Sequence, residues 1–121
     1  MLRTVFVAAN LRQGTTSQDL SSAVLNFTTS IKKPFRLLQV LLHASTGITE
    51  TATIKLNSRN GANYDTILAA GDFDGNQDLS FVAGDNMVGP FCMPNDEIDI
   101  DVTADNSTGI VYVTYVYEEI Q

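Results

Sequence analysis

The chain has 121 residues, of which 44% are hydrophobic, and it carries a net charge of −7. That length suits one domain with its own core, and no stretch approaches the about 18 consecutive apolar residues of a membrane span. Because Cys92 is the single cysteine, the fold cannot depend on an internal disulfide.

The charges are divided unevenly along the sequence. All seven basic residues lie at or before Arg59, so residues 1–60 carry net +5, whereas residues 61–121 contain no Lys or Arg and carry net −12. The acidic half would repel phosphate, so we expect no nucleic-acid partner. Two interpretations stay open. Either the sheets mix these charges over the surface, or the molecule has one basic and one acidic end, which suits docking onto a protein.

The first twenty residues are predicted to form an arm. Thr4–Ala9 alternates as a short strand, and Asn10–Ser22 is a polar tether. Such a strand can add to the sheet edge of a partner. The alternative is that Thr4–Ala9 is simply the first edge strand. The apolar run of this N-terminal segment is shorter than the ~7–15 residues of a signal-peptide core, so we do not expect it to be a signal peptide. We assign residues 1–20 to this arm or edge strand and residues 21–121 to a β-sandwich domain.

Short alternating segments separated by turn signals fill the remainder of the chain. They are Ala23–Thr28, Phe35–His43, Glu50–Asn57, Tyr64–Ala69, Asp78–Ala83, Met87–Met93, Glu97–Val102 and Gly109–Glu119. A helix competes for the Leu-rich Phe35–His43, but Pro34 at its start and strand-like neighbours favour a strand. Eight or nine strands at a spacing of roughly 8–12 residues predict an all-β protein, an antiparallel two-sheet sandwich of jelly-roll type.

Two of these strands, Phe35–Leu42 and Ile110–Tyr117, are apolar on both faces. A two-layer sandwich covers only one face, so the second face is expected to meet a loop or a neighbouring subunit. This predicts a homo-oligomer, a trimer, that is formed partly on the second face. The candidate contact residues are Tyr112 and Val116 on the last strand, together with Arg3, Val5, Phe6, Val7 and Arg12 in the arm.

No set of residues specifies a catalytic, metal or cofactor site. Asp72–Asp78 places oxygen ligands at alternate positions, as calcium loops do, but its glycine stands fourth rather than sixth, so we expect a solvated acidic turn. His43 is the only histidine, and no Gly-x-Ser-x-Gly segment accompanies it. Asp99 and Asp101 share the outer face of one strand, which favours solvated carboxylates over a glycosidase pair.

The order of segments resembles one family of virion proteins. Phe35–His43, a Thr-rich strand, Tyr64–Leu68, Gly84–Asn86 and the terminal Tyr-Val-Tyr-Glu-Glu are similar to small structural proteins of tailed bacteriophages, across residues 23–120. These are capsid decoration (cement) and head-accessory proteins. The resemblance implies a non-enzymatic trimer, made in the host cytoplasm, that binds the major capsid protein on the outside of the head. The alternative is a glycan- or receptor-binding module on a virion fibre or a cell surface, for which Tyr64 and Tyr112 are candidate sugar platforms.

Overall fold

A computed structural model describes residues 10–120, in which nine strands form two antiparallel sheets. The strands are β1 (Leu11–Asp19), β2 (Leu25–Thr28), β3 (Phe35–Ala44), β4 (Thr51–Asn57), β5 (Thr66–Asp72), β6 (Asp78–Val82), β7 (Phe91–Cys92), β8 (Glu97–Val102) and β9 (Ile110–Glu119). One sheet has the order β1-β9-β3-β6 with β7 also paired to β3, and the other has the order β2-β8-β4-β5. The predicted two-sheet, jelly-roll sandwich is confirmed.

The core lies between the two sheets and follows the alternation of the sequence. On β8, Ile98, Ile100 and Val102 are buried, as predicted, and on β9 Val111 and Val113 face them from the other sheet. The helix that competed for β3 is absent. Within residues 11–120 the only helical segment is the single 3-10 turn Ala62–Tyr64, and no helix in the described residues is long and apolar enough to cross a bilayer.

Strand β9 lies in the interior of its sheet, between β1 and β3, as its apolar composition predicts. Its neighbour β3 contains a bulge, because the register shifts between Leu37 and Gln39. The bulge keeps both Leu37 and Val40 in the core, although they are three residues apart. Leu38 is therefore only half-buried, at the side of the sandwich.

The polar tether predicted for Asn10–Ser22 is wrong where the structure describes it, because Leu11–Asp19 pairs along its whole length with β9. An edge strand needs few apolar residues when one of its faces is exposed. Strand β1 contributes to the core by leaving space for a side chain of β9. Gly14 lies opposite Tyr115, and a Cβ on Gly14 would stand 2.1 Å from the ring carbon Cζ of Tyr115. The Tyr115 ring thus covers the glycine and reaches Phe27 of the other sheet, with 5.6 Å between ring centroids.

Two further segments differ from the prediction at their ends. The strand expected at Tyr64–Ala69 begins after the 3-10 turn and continues to Asp72, and the strand expected at Met87–Met93 is reduced to Phe91–Cys92. In the first segment, Asp65 ends the turn and accepts a 2.8 Å hydrogen bond from the Ser58 amide. In the second, the sharp turn at Gly84 places Met87 in the core and leaves the following residues outside the ladder.

The two ends of the sandwich differ in charge. The basic end comprises the start of β1, the loops 29–34 and 58–65, the segment 83–96 and the end of β9. This end and the adjoining strand residues carry all six basic residues that the structure describes, together with a similar number of acids. The basic residues are Arg12, Lys32, Lys33, Arg36, Lys55 and Arg59. The acidic end comprises the loops 20–24, 45–50, 73–77 and 103–109 with their adjoining strand ends. It carries Asp19, Glu50, Asp72, Asp74, Asp78 and Asp105, and none of the described Lys or Arg residues. We name the basic end for its cations, but its charges nearly balance, so the fold has one acidic end and one nearly neutral end. The opposed basic and acidic ends of the second charge interpretation are therefore not realised.

Glu50 holds the acidic end together from inside. Its side chain is 2% exposed, and its carboxylate accepts hydrogen bonds from the Thr103 hydroxyl (2.6 Å) and from the amides of Asp105 (3.0 Å) and Asn106 (2.9 Å). Burial alone would raise the pKa of this carboxyl group, but the hydrogen bonds, with one from Ser107, outweigh it and lower the pKa to about 2. The loop between β8 and β9 is therefore fastened to a buried anion.

Candidate interaction surface

The surface that the sequence marks for contact is the outer face of the β1-β9-β3-β6 sheet, the side turned away from the core. On β9 this face carries Ile110, Tyr112, Thr114 and Val116, and the register places Leu41 of β3 beside Thr114. Tyr112 is 47% exposed and Leu41 37% exposed, whereas Val116 is half-buried by its neighbours. Nothing else in residues 10–120 forms a layer over this face.

The middle of the outer face carries no charge. Its partly exposed apolar side chains are surrounded by neutral polar residues of the same register rows, namely Gln13, Thr15, Ser17, Gln39 and Ser80. A shallow depression of about 310 Å³ lies among Leu41, Tyr112 and Thr114, and the His43–Asp78 pair lines its border. Apolar and neutral polar groups without buried charge are the composition of the centre of a protein interface.

Charged groups border this neutral area. At the acidic end His43 Nδ1 lies 2.6 Å from Asp78 Oδ1, and towards the basic end Arg36 pairs with Glu118 at 3.3 Å. Both pairs are solvent-exposed, so they contribute little to stability. They form a polar rim, which favours correct registration with a partner over affinity.

The outer face of the other sheet is different. Its strands present the half-buried acids Asp99 and Asp101 and the cation Lys55, which stands opposite Asp99 in the register. Burial and the neighbouring Asp99 raise the pKa of Asp101, an effect that Lys55 reduces. A partner covering this face would have to desolvate these charges, so the sheet containing β9 is the better contact surface.

The structure separates the predicted contact residues. Tyr112 and Val116 share the outer face, about 13 Å apart along the strand. Arg12 belongs to the opposite side, because it stands beside Tyr117 in the register, and it forms a 3.3 Å ion pair with Glu119. Arg3, Val5, Phe6 and Val7 lie outside the described residues. Leu41, at the centre of the face, was missed as a contact residue, although its position in an alternating Leu-rich strand indicated it.

A second surface, which the sequence did not indicate, lies where β5 and β6 end the two sheets. We call it the open side. A cleft of about 850 Å³ is lined there by Leu38, Leu68, Ala83, Met87 and Val88, with Arg36 and Asp85 as its charged groups. Val88 is 67% exposed, and Phe91 on β7 is 68% exposed. Only the tertiary fold brings these residues together, because they come from three separate segments, β3, β5 and residues 83–96.

Residues 10–120 contain no group of three His, Cys, Asp or Glu side chains placed to hold a metal ion. In the Asp72–Asp78 loop, Asp72 accepts a 2.7 Å hydrogen bond from the Thr51 hydroxyl, and Asp78 pairs with His43. The loop is held by the buried Phe73 and by a tight turn in which Asp74 has φ 55° and Gly75 φ 85°. These contacts account for the conformation of the loop.

Sequence comparison with known proteins gave no match, either to a protein-family model or to a curated protein. Structural comparison found similar chains in virus particles. In the infectious bursal disease virus Gx strain, a chain that is 14% identical matches 92% of this protein with a TM-score of 0.38. In the VP2 subviral particle of that virus, the values are 13%, 92% and 0.32.

A third similar chain comes from the virus-like particle of the extra small virus of the giant freshwater prawn Macrobrachium rosenbergii. It is 16% identical, and the match covers all of this protein and 86% of that chain, with a TM-score of 0.31. By contrast, this protein spans only 38% and 37% of the two bursal disease virus chains. All three neighbours are thus proteins of virus particles. The jelly roll is shared by capsid proteins and lectins, so the function of this chain has to be argued from its own surface.

Proposed function

We propose that this protein is a non-enzymatic structural component of a virion, which assembles through the outer face of the β1-β9-β3-β6 sheet. The observation that carries the proposal is the uncharged, partly apolar centre of that face, with Leu41 and Tyr112 exposed and charges only at its rim. A surface of this kind is stabilised by covering it with protein.

The finer proposal is that the protein is a capsid decoration protein of a tailed bacteriophage. It follows from the resemblance of residues 23–120 to that class. Under this proposal a homotrimer binds the major capsid protein on the outside of the head and stabilises the shell. The polarity of the molecule supports a fixed orientation, because the acidic end offers exposed Asp74 and Asp105 to a basic surface while the basic end has nearly balanced charges.

The test uses Leu41→Glu, which places a carboxylate at the centre of the outer face, and Ala70→Glu as the matched control on the exposed face of the other sheet. We expect the wild-type protein and the control to run as trimers in light scattering and to saturate purified heads of the virus that encodes them. The Leu41→Glu variant should be monomeric and should bind heads weakly. A monomeric wild-type protein, or equal binding by both variants, contradicts the proposal.

The alternative, a glycan-binding module, is favoured by one observation, the exposed Tyr112 ring beside the depression on the same face. An exposed aromatic ring can stack on a sugar. Binding of the wild-type protein to an array of host surface glycans, lost in Tyr112→Ala and accompanied by no binding to heads, would select this function instead.

A further inference from the structure

The open side of the sandwich contains a cleft that no side chain of residues 10–120 fills. Its apolar lining comes from the bulge residue Leu38, from Leu68 of β5 and from Val88. The amide of Val88 donates a 3.3 Å hydrogen bond to the carbonyl of Leu68, which joins the 83–89 segment to β5 and shapes the cleft between them. The cleft is open to solvent and has a volume of about 850 Å³, which is enough for a side chain of an extended peptide to enter.

We propose that residues 1–9 of one copy of this chain bind in the open-side cleft of a second copy. The inference concerns self-association, and it does not depend on what the assembled protein binds. The sequence of the segment, Met-Leu-Arg-Thr-Val-Phe-Val-Ala-Ala, is mostly apolar and alternates as an extended strand does. Phe6 is the side chain of a size to enter the cleft, and Val5 and Val7 would lie on its rim.

Charge supports the same match. Asp85 lines the cleft, and its carboxylate has no cationic partner within residues 10–120. The other charged group of the cleft, Arg36, is already paired with Glu118. The only charged residue of the segment is Arg3, three positions before Phe6. A guanidinium at this distance from a docked aromatic ring would be placed to pair with Asp85.

Residues 1–9 are attached to the start of β1, which lies at the same end of the sandwich as the cleft. Leu11, Glu118, Arg36 and Phe91 follow one another across the sheet in a single register row. The start of β1 and the cleft are therefore at the same end of the sandwich, on opposite sides, about 14 Å apart by three strand spacings. Nine extended residues span up to about 30 Å.

A second copy is a better acceptor than the same copy. To reach its own cleft, the segment would have to cross the end of the sheet. The ion pairs of Arg12 and Lys33 with Glu119 occupy that region. If a neighbouring copy sets its open side against the β1 edge, the segment reaches the cleft of that copy without crossing the end of its own sheet. Repeating this head-to-tail contact closes a ring when the rotation allows it.

Cross-linking between two chains tests the proposal. A tagged Phe6→Cys chain and an untagged Val88→Cys chain are mixed and oxidised, with Asn26→Cys, on the exposed face of the other sheet, replacing Val88→Cys as the control. We expect a disulfide-linked pair of tagged and untagged chains with Val88→Cys and not with the control. The native Cys92 should not interfere, because burial and the nearby Asp96 raise the pKa of its thiol to about 12.

Two outcomes would overturn the inference. The first is no cross-link in the mixture. The second is a link within the single chain Phe6→Cys/Val88→Cys at high dilution, which would mean that the segment fills its own cleft. Deleting residues 2–9 should weaken self-association by about tenfold or more without lowering the melting temperature. If heads fail to bind the protein while the cross-link forms, the proposed virion function fails and this inference stands.

Discussion

At the scale of single residues, the most consequential group is Glu50, which no motif in the sequence marks. An isolated acid at the start of a strand reads as a surface residue, yet here it accepts hydrogen bonds from four residues of the β8–β9 loop, Thr103, Asp105, Asn106 and Ser107. Buried anions are tolerated when their oxygen atoms are fully hydrogen-bonded. Glu50 therefore acts as a fastening between β4 and the loop that precedes β9.

We predict a pH dependence of stability from this residue. The pKa of Glu50 is about 2 in the folded protein, whereas in the unfolded chain it has its ordinary value of 4.5. Its contribution is therefore complete above about pH 4.5 and is lost as the pH falls towards 2. Glu50→Gln should cost about 1–3 kcal/mol at neutral pH and flatten the stability curve over this range, measured by urea unfolding. Equal acid sensitivity of the variant and the wild type would contradict this role.

At the scale of elements, β1 shows how an edge strand can be polar and still belong to the core. Its alternating Gln, Thr and Ser side chains point outwards along an edge, where few apolar groups are needed. The contact that matters is the space above Gly14, which the Tyr115 ring occupies. A pattern of apolar side chains cannot reveal a position such as Gly14, which contributes to packing because it has no side chain. The segment around Gly14 was therefore predicted to be a tether.

We predict that Gly14→Val destabilises the protein by about 1–3 kcal/mol, because the new side chain and the Tyr115 ring cannot share one place. Thr15→Val on the exposed face of the same strand is the control and should have little effect. In a double-mutant cycle, Tyr115→Leu should reduce the cost of Gly14→Val. Additive costs in thermal unfolding would show that the two positions do not meet.

Strands β4, β8 and β9 were predictable because burial on one face imposes a period of two. Strand β3, whose alternation a bulge interrupts, was predictable from Pro34 at its start and from its strand-like neighbours. The position of the outer face followed from the same pattern, through Tyr112 and Val116. The open side was not predictable. Leu38 turns towards it because of a bulge, and Val88 reaches it through a turn, so its composition is a property of the packed fold.

At the scale of the whole molecule, the acidic end concentrates repulsion between like charges. Added salt screens such repulsion, so we expect the melting temperature to rise between low and moderate salt concentrations. The double variant Asp74→Asn/Asp105→Asn should gain about 0.5 kcal/mol at low salt and lose most of the salt dependence. Asp85→Asn, near the basic end, is the control. If it responds to salt as the double variant does, the repulsion is not localised.

The described Lys and Arg residues lie at or near one end of the sandwich, and this limits where trypsin can cleave the protein. Within residues 10–120, cleavage is restricted to that end, and the exposed turn at Arg59 is a favourable place for it. A single cut there leaves two fragments, but β3 and β4 on the first fragment pair with β9, β8, β6 and β5 on the second. The nicked molecule should stay intact until denaturant is added, and separately produced halves should reconstitute one another.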